Sequence, residues 1–199
     1  GSVTNWFDVP GAERHARPFK TLVDATTLRA RVVELFEMAE QARSDVQRRR
    51  LLSFVIVGGG VTGVEVAAEL IEMTRDTLLP RYPSLSPSHV SVTLVEGGDR
   101  LVPAARPEHS LYVERFLNQR GVRVLRNALA REVEPHAVTL DDGRRLEAFT
   151  LVWTAGVQPA WRTLREAPVE RERLDLQAAR MRQLATEAGQ WRQAVFPQH

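Results

Sequence analysis

Short apolar runs alternate along the chain with segments in which apolar residues recur every three or four positions. The runs 51–57 and 91–95 are each followed by such a periodic segment, at 63–76 and 107–120 respectively. Brief apolar runs are typical of buried strands, and the longer period is typical of amphipathic helices. Strands that alternate with helices predict an α/β fold built on a parallel sheet.

Other segments complete this pattern. A helical period covers 25–45, and 122–125 is a short third strand. The triplet 48–50 is a run of arginines, which we interpret as a solvated lead-in to the first strand. Three proline residues within 77–90 predict a loop between the helix at 63–76 and the strand at 91–95.

The second half of the chain changes from helical to alternating periodicity. Short alternating runs at 129–133, 137–140 and 145–146 flank an Asp-Gly step at 142–143, which is typical of a hairpin turn. A buried strand at 150–154 follows, and apolar residues between 174 and 188 then recur at helical spacing. We therefore predict a Rossmann-like doubly wound parallel sheet with a covering antiparallel β meander and a terminal α-helix.

The junction between the first strand and its helix is the glycine-rich sequence Gly-Gly-Gly-Val-Thr-Gly at 58–63. Glycines with this spacing permit a sharp turn, the approach of backbone to a pyrophosphate and the close packing of helix on strand. The helix N-terminus offers N–H groups and a positive dipole end. We predict that Gly58, Gly59, Gly60, Thr62 and Gly63 bind the diphosphate of a dinucleotide; a glycine turn with no ligand is the alternative.

An acid ends the second strand. At that position the carboxylate of Glu96 can accept hydrogen bonds from both hydroxyls of an adenine ribose and would repel a 2′-phosphate, which favours NADH over NADPH. Glu96 lies 33 residues after Gly63, whereas the usual interval is about 20 residues. The predicted loop at 77–90 accounts for the excess.

A second loop of small residues follows the last buried strand. Ligands of open parallel sheets collect at the carboxyl ends of the strands. Thr154, Ala155 and Gly156 are therefore predicted to line the same cleft, with a plain turn as the alternative.

Composition excludes several other classes of protein. The chain of 199 residues has 43% hydrophobic residues, no cysteine and a formal net charge of +2. No apolar run approaches the roughly 20 residues that a membrane helix needs, and no secretion signal is evident, so we expect a cytoplasmic location. Without cysteine, redox chemistry depends on cofactors. The five histidines lack metal-ligand spacing, and dispersed acids argue against nucleic-acid binding.

Taken together, the motifs resemble the flavin-dependent pyridine-nucleotide oxidoreductases, and most closely the type II NADH dehydrogenases, which are NADH:quinone oxidoreductases. The resemblance rests on residues 1–5, 18–20, 57–65, 94–101 and 153–157. It implies two dinucleotide domains in one longer chain, an outer one that holds FAD and an inserted one that presents NADH to the flavin, with quinone as the acceptor.

The resemblance also implies a division of this chain. Residues 25–160 are similar to the inserted NADH-binding domain, 1–24 would be a connector from a missing FAD domain, and 161–199 form an atypical C-terminal helical tail. No earlier glycine fingerprint for FAD is present, so we expect this chain to bind NADH without turnover. The resemblance implies peripheral membrane association for the intact enzyme. The apolar stripe of the tail at 161–199 could mediate formation of a homodimer.

The same resemblance implies that Glu65 is a catalytic residue, a polar or proton-handling group beside the nicotinamide and flavin. A second interpretation is an acid in the first helical turn that stabilises the helix dipole. For the chain as a whole, two alternatives also stay open: a stand-alone NAD(H)-binding or interaction module, and the NADH domain of another flavin reductase.

Overall fold

The computed structural model describes residues 2–159 and assigns them to two compact units, one of 6–156 and one that contains 2–5 and 157–159. β1 (Ser2–Thr4) belongs to the smaller unit. The larger unit begins with α1 (Ala12–His15) and β2 (Arg17–Pro18). Where an extended connector was expected, this short helix and strand bury Ala12 and Ala16.

Two helices precede the central strand. α2 (Leu22–Glu40) begins three residues before the predicted segment because the Thr21 and Asp24 side chains form a reciprocal capping box. α3 (Asp45–Leu51) begins after Ser44, whose hydroxyl accepts a hydrogen bond from the Gln47 N–H. The arginines at 48–50 therefore lie in a helix and not in a lead-in to the strand, since the Ser44 cap starts helical structure ahead of them.

The sheet of the larger unit has five parallel strands. Its remaining strands are β3 (Ser53–Val57), β4 (Ser91–Val95), β5 (Val122–Leu125) and β9 (Thr150–Trp153), and the order is β2-β9-β3-β4-β5. α4 (Val61–Glu72) connects β3 to β4, and α5 (Pro107–Gln119) connects β4 to β5. The predicted Rossmann-like topology is confirmed.

The return from α4 to β4 is long and irregular. A π-helical turn at Met73–Leu78 extends α4, and 3₁₀ turns follow at Leu79–Arg81 and Pro87–His89. The segment predicted as a loop thus consists largely of short turns that do not interrupt the sheet. These turns account for the long interval in sequence between the glycine cluster and Glu96.

The meander consists of β6 (Ala130–Glu134), β7 (Ala137–Leu140) and β8 (Arg145–Glu147), paired antiparallel in that order. Side chains of β3 alternate between two cores: Phe54 and Ile56 pack with the helices, whereas Val55 packs with Val133 and Val138 of the meander. α2, α4 and α5 therefore cover one face of the parallel sheet, and the predicted meander covers the other together with α1.

The last described strand, β10 (Val157–Pro159), pairs antiparallel with β1 in the smaller unit. The predicted terminal helix at 161–199 lies outside the described residues.

Candidate functional site

The carboxyl ends of three neighbouring strands meet at one edge of the sheet. Val57 at the end of β3 is in register with Val95 of β4 and with Trp153 of β9. A cleft of about 340 Å³ opens at this edge. Six of the predicted site residues line it: Gly58, Gly60, Glu96, Thr154, Ala155 and Gly156.

Gly58 makes the turn out of β3. Its φ of +113° is a conformation that residues with a side chain rarely adopt. A Cβ atom there would lie 2.6 Å from the Ala155 nitrogen and 2.8 Å from its Cα. The turn is closed by a 2.8 Å hydrogen bond from the Gly58 N–H to the Val95 carbonyl. Only glycine fits at position 58, between the ends of β3 and β9.

Gly63 allows α4 to lie directly against that turn. A Cβ atom at Gly63 would overlap the Gly58 carbonyl oxygen and lie 2.7 Å from Thr154 Oγ1. The residue is buried, so its place is in the packing of helix on turn.

Gly60 differs from the other glycines of the motif because no atom lies within 4 Å of the position that a Cβ would occupy. It caps α4 without a side-chain hydrogen bond, and its φ of −69° is open to any residue. The first N–H groups of the helix, including that of the exposed Thr62, have no partner within the helix. Open space beside a positive helix end fits a diphosphate.

The Glu96 carboxylate bridges the glycine turn and the loop that follows β4. Oε2 accepts a 2.6 Å hydrogen bond from the Gly59 N–H, and Oε1 accepts one of 2.6 Å from the Gly98 N–H. A carboxylate has about four acceptor positions, so these bonds fix its orientation and leave capacity for ribose hydroxyls. Gly59 itself is buried over Leu101, whose side chain is completely buried.

Thr154 fastens the end of β9 to the glycine turn. Its N–H donates to the Val57 carbonyl at 2.9 Å, and its hydroxyl lies 3.0 Å and 2.9 Å from the carbonyl oxygens of Val57 and Gly58. The hydroxyl of Thr154 is thus engaged by the protein. Gly156 follows in the same loop with a φ of +64°, a conformation that favours glycine.

Glu65 does not line this cleft. It is exposed and lines a separate, largely apolar hollow of about 340 Å³ together with Phe19, Arg29 and Met73. α4 begins at Val61, so Glu65 lies beyond the first turn, where an acid gains little from the helix dipole. The structure therefore separates Glu65 from the glycine and Glu96 positions.

Several cleft residues were not singled out from the sequence. They are Phe7, Val9, Val57, Val95, Gly97, Ala128, Leu129, Ala130 and Trp153. The final residues of β3, β4 and β9 could have been found, because the rule for parallel sheets places ligands at the strand ends. The sequence contains no comparable signal for Phe7, which has a φ of +52° and is 56% exposed.

No helix within 2–159 is long and apolar enough to cross a bilayer. No three His, Asp or Glu side chains in that part of the chain are grouped to hold a metal ion.

Comparison with known proteins gives a consistent picture. The model of the pyridine nucleotide-disulphide oxidoreductase family matches residues 1–181. A type II NADH:quinone oxidoreductase, NdhA of Mycobacterium tuberculosis, is 35% identical over 161 residues, which are 79% of this chain and 34% of that protein. A probable NADH dehydrogenase of Dictyostelium discoideum is 34% identical, with coverage of 79% and 35%.

A solved structure has the same fold. NDH2 from Plasmodium falciparum, determined in complex with NADH, superposes with a TM-score of 0.75 at 25% identity, over 79% of this chain and 33% of that one. The chain thus spans about a third of the length of the relatives that it matches.

Proposed function

Because this chain belongs to the pyridine nucleotide-disulphide oxidoreductase family, we propose that residues 25–160 bind NADH and present its nicotinamide to a flavin held by another part of a longer protein. The observation that carries the proposal is the combination of an open helix N-terminus at Gly60 with the Glu96 carboxylate one strand away.

Each half of the dinucleotide has its own set of groups in this proposal. The diphosphate lies over Gly60 and the first amides of α4, with Thr62 at the rim. Glu96 accepts hydrogen bonds from the adenosine ribose, so the adenosine lies on the β4 side. The nicotinamide half then extends toward Thr154, Ala155 and Gly156 on the β9 side.

Gly58, Gly59 and Gly63 serve the same site through the protein backbone. The Gly58 and Gly59 N–H groups donate to Val95 and Glu96, and the Thr154 hydroxyl donates to the Gly58 carbonyl. These bonds hold the turn in shape and keep the helix amides aimed at one point. Pre-arranged amides of this kind bind an anion without reorganisation.

Glu65 serves a different surface in the proposal. The hollow that it lines with Phe19 and Met73 is largely apolar, and we assign the Glu65 carboxylate at its rim to proton handling at the edge of the flavin. FAD, when bound to the longer protein, supplies the acceptor for the nicotinamide hydride. The residues described above bind and orient the donor.

For the whole protein we infer a flavin-dependent NADH:quinone oxidoreductase. Two relatives are an NADH:quinone oxidoreductase and a probable NADH dehydrogenase, which supports quinone as the acceptor. Because quinones dissolve in lipid, the whole protein would work from the cytoplasmic side at a membrane surface. Residues 1–24, of which 6–24 pack as part of the larger unit, would lead from the flavin domain into the NADH domain.

Calorimetric titration of the full chain with NADH and NADPH tests the proposal. We expect saturable binding of NADH, and NADPH weaker by at least about ten-fold because Glu96 faces the 2′-phosphate. NADH oxidation with added FAD and quinone should be negligible. Equal affinities for the two nucleotides, or no heat with either, would refute the assignment of Gly60 and Glu96.

A further inference from the structure

The loop after β5 forms the outer wall of the cleft beside Glu96. Gly97, Ala128 and Leu129 line the cleft there. Leu129 is apolar yet 51% exposed, and its side chain occupies the place that a Cβ of Gly97 would need. An exposed leucine beside Glu96 offers an apolar surface to the base of an adenosine.

One end of this wall is tied to the loop after β4. The Asn127 N–H donates to the Gly98 carbonyl at 2.9 Å, and the Ala128 N–H donates to the Glu96 carbonyl at 3.0 Å. Asn127 adopts a φ of +50° to make this turn, a conformation that asparagine tolerates better than most residues. These bonds place the wall next to Glu96 but do not hold Leu129 itself.

Leu129 is held from the other side by Asp141, at the end of β7. The Leu129 N–H donates to Asp141 Oδ1 at 3.0 Å, and the Asp141 N–H donates to the Leu129 carbonyl at 2.8 Å. The hairpin beyond β7 does not need this carboxylate, because its turn is closed by bonds between the backbones of Leu140 and Arg144 and by Asp142 contacting Arg144.

We propose that Asp141 is a positioning residue for the adenosine half of the bound dinucleotide, acting through the Leu129 backbone. The inference rests on the proposed function and extends it to a residue that does not line the cleft. It predicts that loss of the Asp141 carboxylate affects ligands that contain adenosine and spares those that contain only the nicotinamide half.

The test uses three substitutions in the full chain: Asp141→Ala, Asp141→Asn and Asp142→Ala. Affinities are measured for NADH, ADP-ribose and reduced nicotinamide mononucleotide. Asp141→Ala should weaken NADH and ADP-ribose by about three- to ten-fold, the effect of one lost hydrogen bond at a partly exposed site. The mononucleotide should change by less than about two-fold, since the wall is not near it.

Two controls separate positioning from a general loss of structure. Asp141→Asn keeps an oxygen that can accept from the Leu129 N–H, so it should recover most of the affinity for ADP-ribose. Asp142→Ala removes the same charge from the same hairpin but touches only Arg144, so it should bind like the parent chain. If Asp141→Ala fails to fold, Leu129→Ala, which removes no backbone bond, must show the same ligand pattern.

An unchanged affinity of Asp141→Ala for ADP-ribose, or an equal loss for the mononucleotide, would overturn the inference. If instead the parent chain binds none of the three ligands, the proposed function itself is refuted. The two failures are therefore distinguishable in one set of titrations.

Discussion

The glycine motif allows binding and folding to be perturbed separately, by alanine at Gly60 and at Gly63. Alanine at 60 places its methyl group in the open space above the α4 N-terminus, where no protein atom lies within 4 Å. Alanine at 63 drives the same methyl group into the Gly58 carbonyl and Thr154 Oγ1. We expect Gly60→Ala to weaken nucleotide binding and Gly63→Ala to lower the free energy of unfolding.

The stability effects follow from the local geometry. At Gly60, loss of a glycine cap costs about 0.5–1 kcal/mol, and the smaller entropy of the unfolded chain returns about 0.4–1 kcal/mol, so the net change should be within about 1 kcal/mol. At Gly63 the overlap is with the Gly58 carbonyl, and the Gly58 backbone is itself held by hydrogen bonds to Val95 and Thr154. Overpacking at Gly63 should therefore lower the free energy of unfolding by about 2–3 kcal/mol or more.

For nucleotide binding, Gly60→Ala should have the larger effect of the two substitutions. A methyl group at position 60 prevents a diphosphate from approaching the helix amides, so NADH affinity should fall by at least about ten-fold, or roughly 1.4 kcal/mol. Calorimetric melting and NADH titration measure the two quantities independently. For a chain of this size, 1 kcal/mol corresponds to about 2–4 °C in melting temperature.

Two results would refute this reasoning. Gly60→Ala that binds NADH as tightly as the parent chain would show that the diphosphate does not lie at the α4 N-terminus. Gly60→Ala that melts as low as Gly63→Ala would show that the space above Gly60 is not open in solution.

Three further substitutions test the acid after β4, the core beneath the glycine turn and the cap of α2. Glu96→Gln should reduce the preference for NADH over NADPH by about ten-fold in paired titrations, because the charge that opposes a 2′-phosphate is lost; an unchanged ratio would assign the preference elsewhere. Leu101→Ala should lower the free energy of unfolding by about 2–5 kcal/mol in urea denaturation, because it leaves a cavity beneath Gly59; a smaller loss would mean that the loop collapses into the space. Partial burial raises the pKa of Asp24, but hydrogen bonds from Thr21 and Lys20 outweigh it and hold that pKa below its ordinary value. The stabilisation by Asp24 is therefore complete above about pH 3.9 and is lost as the pH falls through the lowered pKa, so melting curves of Asp24→Ala and the parent chain should converge in acid and differ at neutral pH.

Much of the fold was predictable because each element has its own local signal. Residues 53–57 of the apolar run at 51–57 form a strand, as does the run at 91–95, whereas Leu51 ends α3. Pro107 at the start and Gly121 just past the end mark α5. The Asp-Gly step at 142–143 supplies the hairpin, with Gly143 at a φ of +83°. These signals lie within a few residues of the structure that they specify.

Two kinds of feature were missed: a helix without an apolar period, and contacts that depend on distant partners. The arginines at 48–50 lie in α3 because the Ser44 hydroxyl, four residues upstream, caps a helix that has no apolar period of its own. Leu129 lines the cleft because Asp141 and the loop after β4 hold its segment there. Phe7 reaches the cleft from a segment with no recognisable motif.

The glycine motif illustrates why a sequence fingerprint predicts a fold better than it predicts a ligand. Gly58, Gly59 and Gly63 are each required by the protein's own atoms, because a Cβ at any of them would collide with Ala155, Leu101 or Gly58 itself. A chain could keep these three glycines for packing alone. Gly60 has no such neighbour, so a requirement for glycine at that position would have to come from something outside the protein that approaches the α4 N-terminus. Ligand binding therefore depends on Gly60 and on the acid at Glu96, and those two positions are where the NADH assignment is most directly tested.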